Sequence, residues 1–485
     1  MMDFEANYNF LLNQMNIKEG KSFQFNLNQK TLLLPFSSRK EIVYFKNGFK
    51  SILGEFSRII SNKDLDESLE NSKIIENIIS GELIEFDNPR SEDYFKILMD
   101  DYLEGDENKL KISNPLLLLY SDKNSDNFEQ KGEEQIALFF RDVFFQDDDL
   151  ITKFKKFLYE YESNDTIVNL ILDNFPKLPD AKTNSKYIPV LNNIVDLFKD
   201  DLIFLIDNYP ENLLENMDLL FAYYYFLYST QLMIKIKKDF VADYSIEELY
   251  YILDWESVSK KRTTINRGYG LIEKANEELL SQMYLIDQLN ILIGSDGGLI
   301  LSEIDKEFES FSDDEKEEFL KYLEMWVNKY HEVRDIENKD YEYKLAGALS
   351  EGDSPYLCKL KKLTNSLYCG ISNREKGEKN YKGVPDGRRT RYAQNINLIG
   401  SRYFMKSRGL YGFVLNLNRD LFLFITALCV REKKINVKKL FEEYEKRGLF
   451  FDKYSKKEII NYLNRLNLID KKSDSGDAQY VRPIL

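Results

Sequence analysis

Leu421-Phe-Leu-Phe-Ile-Thr-Ala-Leu-Cys429 is apolar enough for a buried helix, and the residues after it decide how the fold is read. Val437, Leu440, Phe441 and Tyr444 recur at helical spacing, and Gly448 stands where a left-handed stop is wanted. Ser455-Lys-Lys-Glu458 has the spacing of a capping box and predicts a third helix. Leu468-Ile-Asp-Lys-Lys472, the turn Ser473-Asp-Ser-Gly-Asp477 and Ala478-Gln-Tyr-Val-Arg-Pro-Ile-Leu485 read as a β-hairpin. Helix, helix, helix, hairpin is the winged-helix order. That module usually docks on DNA and less often on another protein.

The 485 residues exceed one typical core, so two to four domains are expected. Hydrophobic residues make up 43% and charged residues 31%, the composition of a chain that folds in water. A formal net charge of −15 hides a segregation. Residues 1–355 carry 39 Lys+Arg against 69 Asp+Glu, whereas residues 356–485 carry 28 against 13. A basic end on an acidic body points to nucleic-acid contact by one part only. The plainer alternatives are that the two parts attract each other, or that the acidic part meets a basic partner.

Three cysteines (Cys358, Cys369, Cys429) and one histidine (His331) exclude a disulfide framework and leave too few ligands for a zinc site. Asp3 and Glu5 stand where a secretory leader would be basic. The longest uncharged run, Leu219 to Ile234, is too short and too rich in Tyr for a membrane span. A cytoplasmic protein without membrane attachment is expected.

Ser22-Phe-Gln-Phe-Asn26 and Thr31-Leu-Leu-Leu-Pro35 read as strands, and Gly48 to Ile60 as a helix. Beyond them the pattern is mostly helical. Helices are predicted over Glu134–Glu162, Asp165–Asn174, Val190–Asn208, Asn212–Lys238, Ser245–Trp255 and Glu273–Ile293. Another is capped by Ser312, with Glu315 at its third position, and runs to about Arg334. The acidic stretch 335–355 reads as a linker, and Gly294-Ser-Asp-Gly-Gly298 as an interhelical turn. The expected fold is mainly α. A small mixed α/β N-terminal region (1–64) precedes a large acidic helical body (65–355), a basic Gly/Tyr-rich loop segment (356–415) and a winged-helix domain (416–485).

Three groups of side chains could meet nucleic acid. On the third helix, Lys457, Asn461, Asn464 and Arg465 fall opposite Ile459, Ile460, Leu463 and Leu466. Such amides and cations can donate to phosphates or read base edges, although any solvated helix face also looks like this. In the basic segment, Arg388, Arg389, Arg391, Arg402, Lys406 and Arg408 are interleaved with Tyr392, Tyr403 and Phe404, which suits a backbone-tracking groove on an exposed loop. The alternative is that this loop docks on the chain's own acidic body. In the hairpin, Lys471, Lys472 and Arg482 are offset by Asp470, Asp474 and Asp477, a poor tip for DNA.

Signs of catalysis are thin. The sequence holds no phosphate-binding glycine loop and no nucleophile elbow. Triplets such as Glu337-Asn-Lys339 and Glu342-Tyr-Lys344 resemble nuclease pieces, but chance supplies them in a chain this rich in Glu and Lys. His331 reads as structural. Catalysis by this chain and any cofactor or metal are therefore not expected.

Asn397-Leu-Ile-Gly-Ser-Arg402, Leu410-Tyr-Gly-Phe-Val-Leu415, Glu445-Lys-Arg-Gly-Leu-Phe-Phe-Asp452 and Lys471-Lys-Ser-Asp-Ser-Gly-Asp-Ala-Gln-Tyr-Val-Arg482 resemble the DptG family of the DNA phosphorothioation-dependent restriction system. The likeness covers about the last ninety residues, with Leu253-Asp-Trp-Glu256 as an outlying match. It carries over no catalytic set. What the resemblance implies is a bacterial anti-phage defence complex with DptF-like and DptH-like partners, ATPase-type proteins that would supply energy and cleavage. The expected role is then a non-catalytic subunit that contacts double-stranded DNA and scaffolds those partners. A scaffold without DNA contact and a cryptic nuclease are the alternatives.

Overall fold

The computed structural model describes residues 3–14, 32–65, 88–103, 112–162, 168–169, 172, 175, 177–295, 298–334, 342–372, 386–392, 394–471 and 479–485. Among them the chain is mainly helical, with two small three-stranded sheets. It divides into two units, one of Val43–Ser185 and Ile194–Tyr225, the other of Met1–Ile42, Lys186–Asn193 and Phe226–Ile484.

The first unit is built on phenylalanine. Helices Lys50–Ser61, Asn127–Phe144 and Asp148–Glu160 bring Phe56 to 4.8 Å from Phe145 and Phe140 to 4.8 Å from Phe221. Phe144 lies 4.9 Å from Phe198, and all six rings are buried. Such pairs add about 0.5–1.5 kcal/mol each beyond the area they bury. The single helix predicted over Glu134–Glu162 is two helices. Its break is polar: Asp147 accepts from the N–H groups of Asp149 at 2.8 Å and Leu150 at 3.3 Å, capping a new start that an apolar count passes over. The predicted helix Asp165–Asn174 falls largely outside the described residues.

The second unit is organised on the helix Tyr269–Ile293, buried at every residue from Leu279 onward. It needs no polar face because helices Phe4–Gln14, Pro355–Ser372 and Asp386–Tyr392 pack on it. Helix Asp313–Val333 carries the predicted capping box of Ser312 and Glu315. Its Trp326 donates to Gln288 Oε1 at 2.9 Å. Gly370 lets Pro355–Ser372 approach it, since a Cβ there would lie 2.9 Å from His331 Nε2. His331 is buried with Nε2 3.2 Å from the Ser366 carbonyl oxygen, in keeping with a structural role. The supposed linker is partly packed: Leu345 and Ala348 are buried, and Asn365 accepts from the N–H of Lys344 at 2.8 Å.

Strands β1 (Ile252–Leu253), β2 (Met405–Ser407) and β3 (Phe413–Leu417) form one sheet in the order β1-β3-β2, with β3 antiparallel to β2 and parallel to β1. This corrects the helix predicted over Ser245–Trp255. Tyr250 to Leu253 suits either period, and a strand partner distant in sequence decides the outcome. The strand predicted at Thr31–Pro35 is reduced, within the described residues, to an isolated bridge between Leu32 and Tyr187, and Ser22–Asn26 lies outside them. Strands β4 (Ile435–Asn436), β5 (Ile469–Lys471) and β6 (Gln479–Val481) form an antiparallel sheet in the order β4-β6-β5. Around it run helices Arg419–Val430, Val437–Lys446 and Lys453–Arg465.

The loop segment expected over 356–415 is also corrected. Pro355–Ser372, Asp386–Tyr392 and Gln394–Ile399 are helices, and Gly370 serves helix packing instead of breaking it. Residues 373–385 lie outside the described set.

Candidate nucleic-acid interface

Helix Lys453–Arg465 starts one turn earlier than its sequence signal. Asp452, not Ser455, is the cap: its Oδ1 accepts from the N–H groups of Tyr454 at 3.0 Å and Ser455 at 2.9 Å. Ile459 and Leu463 are buried one turn apart. Lys457, Asn461, Asn464 and Arg465 are all exposed on the other side, as their spacing predicts. Glu458 ties down Arg465 at 2.6 Å, and the guanidinium also stacks 5.7 Å from the Tyr462 centroid. Among the described residues, nothing engages the side chains of Lys457, Asn461 or Asn464. These three point outward with their donors available.

What holds that helix is a buried polar joint supplied from residues 254–262. Arg262 donates from Nε to Asp452 at 2.6 Å and from Nη2 to Glu256 and to the Ser455 hydroxyl, each at 2.7 Å. Ser455 in turn donates to Glu256 at 3.1 Å, and Glu256 accepts the Leu253 N–H at 2.8 Å. Burial pushes the Asp452 carboxyl up, but the hydrogen bonds from Arg262 and the Ser455 N–H outweigh it and hold the group below its ordinary range. Beside this joint, the Trp255 indole donates to Glu458 at 3.0 Å and packs at a tilt against Tyr462, with ring centroids 4.5 Å apart. Asp254 pairs with Lys406, which lowers the aspartate's pKa.

The arginine cluster is placed differently from its expectation. Arg389 is 5% exposed, while Arg388 and Arg391 are half-buried. Arg388 hydrogen-bonds Tyr284, and Arg391 donates to the Ser38 carbonyl at 3.2 Å. Their helix lies against Tyr269–Ile293, so the docking alternative describes this segment better than an open loop. Further on, Arg408 donates to the Asp254 carbonyl at 2.9 Å and to Asn416 at 3.2 Å. Lys406 keeps an exposed side chain despite its pairing, and Arg402 is exposed, 6.0 Å from the Tyr403 centroid.

In the hairpin, Asp470 sits between Lys434, 2.7 Å away, and Arg482, whose Nε donates at 2.6 Å. Hydrogen bonds from Arg482, then Lys434, bring its carboxyl down to about 2. The carboxylate suspected of repelling phosphate is thus neutralised within the sheet. The side chains of Lys471 and Lys472 lie outside the described residues.

The joint itself has no signature in the sequence: Leu253-Asp-Trp-Glu256 stands out only by its likeness, and no local signal links Arg262 to Asp452 across the chain. No protein-family model matches this chain, and no curated protein sequence does either. Among the described residues, no helix is long and apolar enough to cross a membrane.

Proposed function

We propose that this chain is a non-catalytic, DNA-contacting and scaffolding subunit of a multiprotein restriction complex. Its DNA-contacting module is a winged helix over residues 416–485. Supporting that reading is the order helix, strand, helix, helix, strand, strand, together with the sheet order β4-β6-β5. In such modules the last helix enters the major groove. One observation carries the proposal: Lys457, Asn461 and Asn464 share an outward face of a helix whose other face is fixed by Ile459, Leu463 and the Arg262 joint. A rigid helix presenting a cation and two amides suits phosphate and base-edge contact. The DptG resemblance supports the restriction context, with DptF-like and DptH-like proteins as the partners scaffolded.

A scaffold that never touches DNA is favoured by the inward placement of Arg388, Arg389 and Arg391. One experiment separates the two. Duplex binding by the full chain is titrated at several salt concentrations, for wild type and for Lys457→Glu combined with Asn461→Ala. Contact through this face gives a salt-sensitive affinity that the double variant loses, with its co-purification with partner proteins intact. Equal binding by both proteins, or none by wild type, defeats the DNA half of the proposal.

A further inference from the structure

The hairpin of β2 and β3 ends in a feature that the helix face does not use. Leu410 is 103% exposed, the most open large apolar side chain described. The tip that displays it is built, not slack. Gly409 and Gly412 adopt positive φ of 60° and 68°, with open space where their Cβ atoms would be. Backbone hydrogen bonds close the turn, from Arg408 N–H to the Gly412 carbonyl at 2.8 Å and from Gly412 N–H to the Gly409 carbonyl at 3.0 Å. Behind the tip, Met405, Val414 and Leu415 are buried, and Phe404 stacks 4.5 Å from Phe226. A hairpin with its base in the core and a bare leucine at its end has paid nothing to hide that leucine.

The surroundings say what it meets. From Gly387 to Arg419 the sequence contains no Asp or Glu, while Arg402, Lys406 and Arg408 flank the tip in sequence. The Asp254 carboxylate beside Lys406 comes from another segment and is already paired. An apolar point on a cationic stretch that carries no carboxylate of its own suits a polyanion with an apolar interior, which is duplex DNA opened at a base step. We propose that Leu410 is a wedge that inserts between base pairs from the minor groove and kinks the duplex, while Arg402 and Lys406 hold the flanking phosphates. β-Ribbons reach the minor groove in this way, and leucine is among the side chains that unstack base steps there. This inference rests on the DNA-contacting reading, and it adds a second contact element tied to the first. Asp254 pairs with Lys406 of the hairpin, while the adjacent Trp255 and Glu256 bind Glu458 and Ser455 of helix Lys453–Arg465.

The test uses the full chain with two duplexes. One carries 2-aminopurine at flexible TA steps, where unstacking raises its fluorescence; the other carries a donor and an acceptor dye at its ends to report bending. Wild type, Leu410→Ala, Arg402→Glu and Lys457→Glu are compared at saturating protein. Wild type is expected to raise the fluorescence about twofold or more and to bring the ends together. Leu410→Ala should abolish both signals yet keep the salt dependence of binding, and its unchanged thermal unfolding excludes a folding defect. Arg402→Glu should make the salt dependence shallower by about 0.9 log units per log unit of salt. Lys457→Glu should weaken binding and, once saturated, still distort the duplex. Binding without distortion by wild type, or equal distortion by Leu410→Ala, overturns the wedge and leaves the helix-face reading standing. Absence of duplex binding by wild type overturns both. Loss of partner-protein co-purification in Leu410→Ala with DNA distortion intact would assign the tip to a protein contact instead.

Discussion

Helices Asp386–Tyr392 and Lys453–Arg465 are both rich in cations, yet they use them in opposite ways. On the first, Arg389 lies three residues before Tyr392, so the two share a face. Tyr392 is fully buried, 5.6 Å from Phe36, and it takes the guanidinium inward with it. On the second, the buried positions are Ser455, Ile459 and Leu463, spaced four apart. Lys457, Asn461 and Asn464 therefore all fall on the far side. Composition states how many cations a segment holds. The apolar residues three and four positions away decide which of them water, or a phosphate, can reach.

The most severe way to break this contrast is to cut what fixes the outward helix. Arg262→Ala should lower stability by about 3–5 kcal/mol, because it strands Asp452 and Glu256 in a buried site. Chemical denaturation reads the loss, and a midpoint equal to wild type would show that the joint is not what anchors the helix. The pH dependence has a definite sign. Asp452 has a folded pKa below its unfolded value, so its stabilisation is present above about pH 4 and disappears as pH falls through the lowered value. Arg262→Ala should flatten that acid limb.

Next comes the inward helix. Arg389→Ala should cost about 1–3 kcal/mol through the buried groups it leaves behind, with the salt dependence of duplex binding unchanged. A shallower salt slope would return Arg389 to the DNA contact set. The complementary substitution, Lys457→Glu, should leave stability within about 0.5 kcal/mol of wild type. It should weaken duplex binding about tenfold and reduce the salt slope by about 0.9. The smallest expected change is in the hairpin. Asp470→Asn releases Lys434 and Arg482 and should tighten binding at low salt about twofold, an effect that added salt removes. Since those two cations hold Asp470 at about 2, it stays ionised above about pH 3 and contributes no step to the pH profile of binding near neutrality.

How much of this was legible follows from where each signal resides. The capping box of Ser312 and the long helices Tyr269–Ile293 and Asp313–Val333 are local, and their sequences announce them. The outward face of Lys453–Arg465 was equally readable, because amphipathic period alone sets it. The cap is harder: the spacing of Ser455 and Glu458 points to Ser455, but that hydroxyl is taken up in the core by Arg262, far away in sequence, and Asp452 caps the helix. Ile252 and Leu253 are extended because β3 offers them an edge, and Tyr250 because Phe450 bridges it. Arg388, Arg389 and Arg391 follow Gly383, Pro385 and Gly387, a composition that suits a loop, and one buried tyrosine after them is a weak local signal for a packed helix.

The Asp254-Trp-Glu256 segment also bears on how the protein is made. During synthesis, β1 leaves the ribosome long before β3, its parallel partner, exists, and Arg262 emerges without Asp452. The middle of the chain must therefore wait, with a short strand edge and a charged side chain unsatisfied, until the final helices arrive. Nascent chains halted before residue 413 should be the ones that chaperones hold and proteases find.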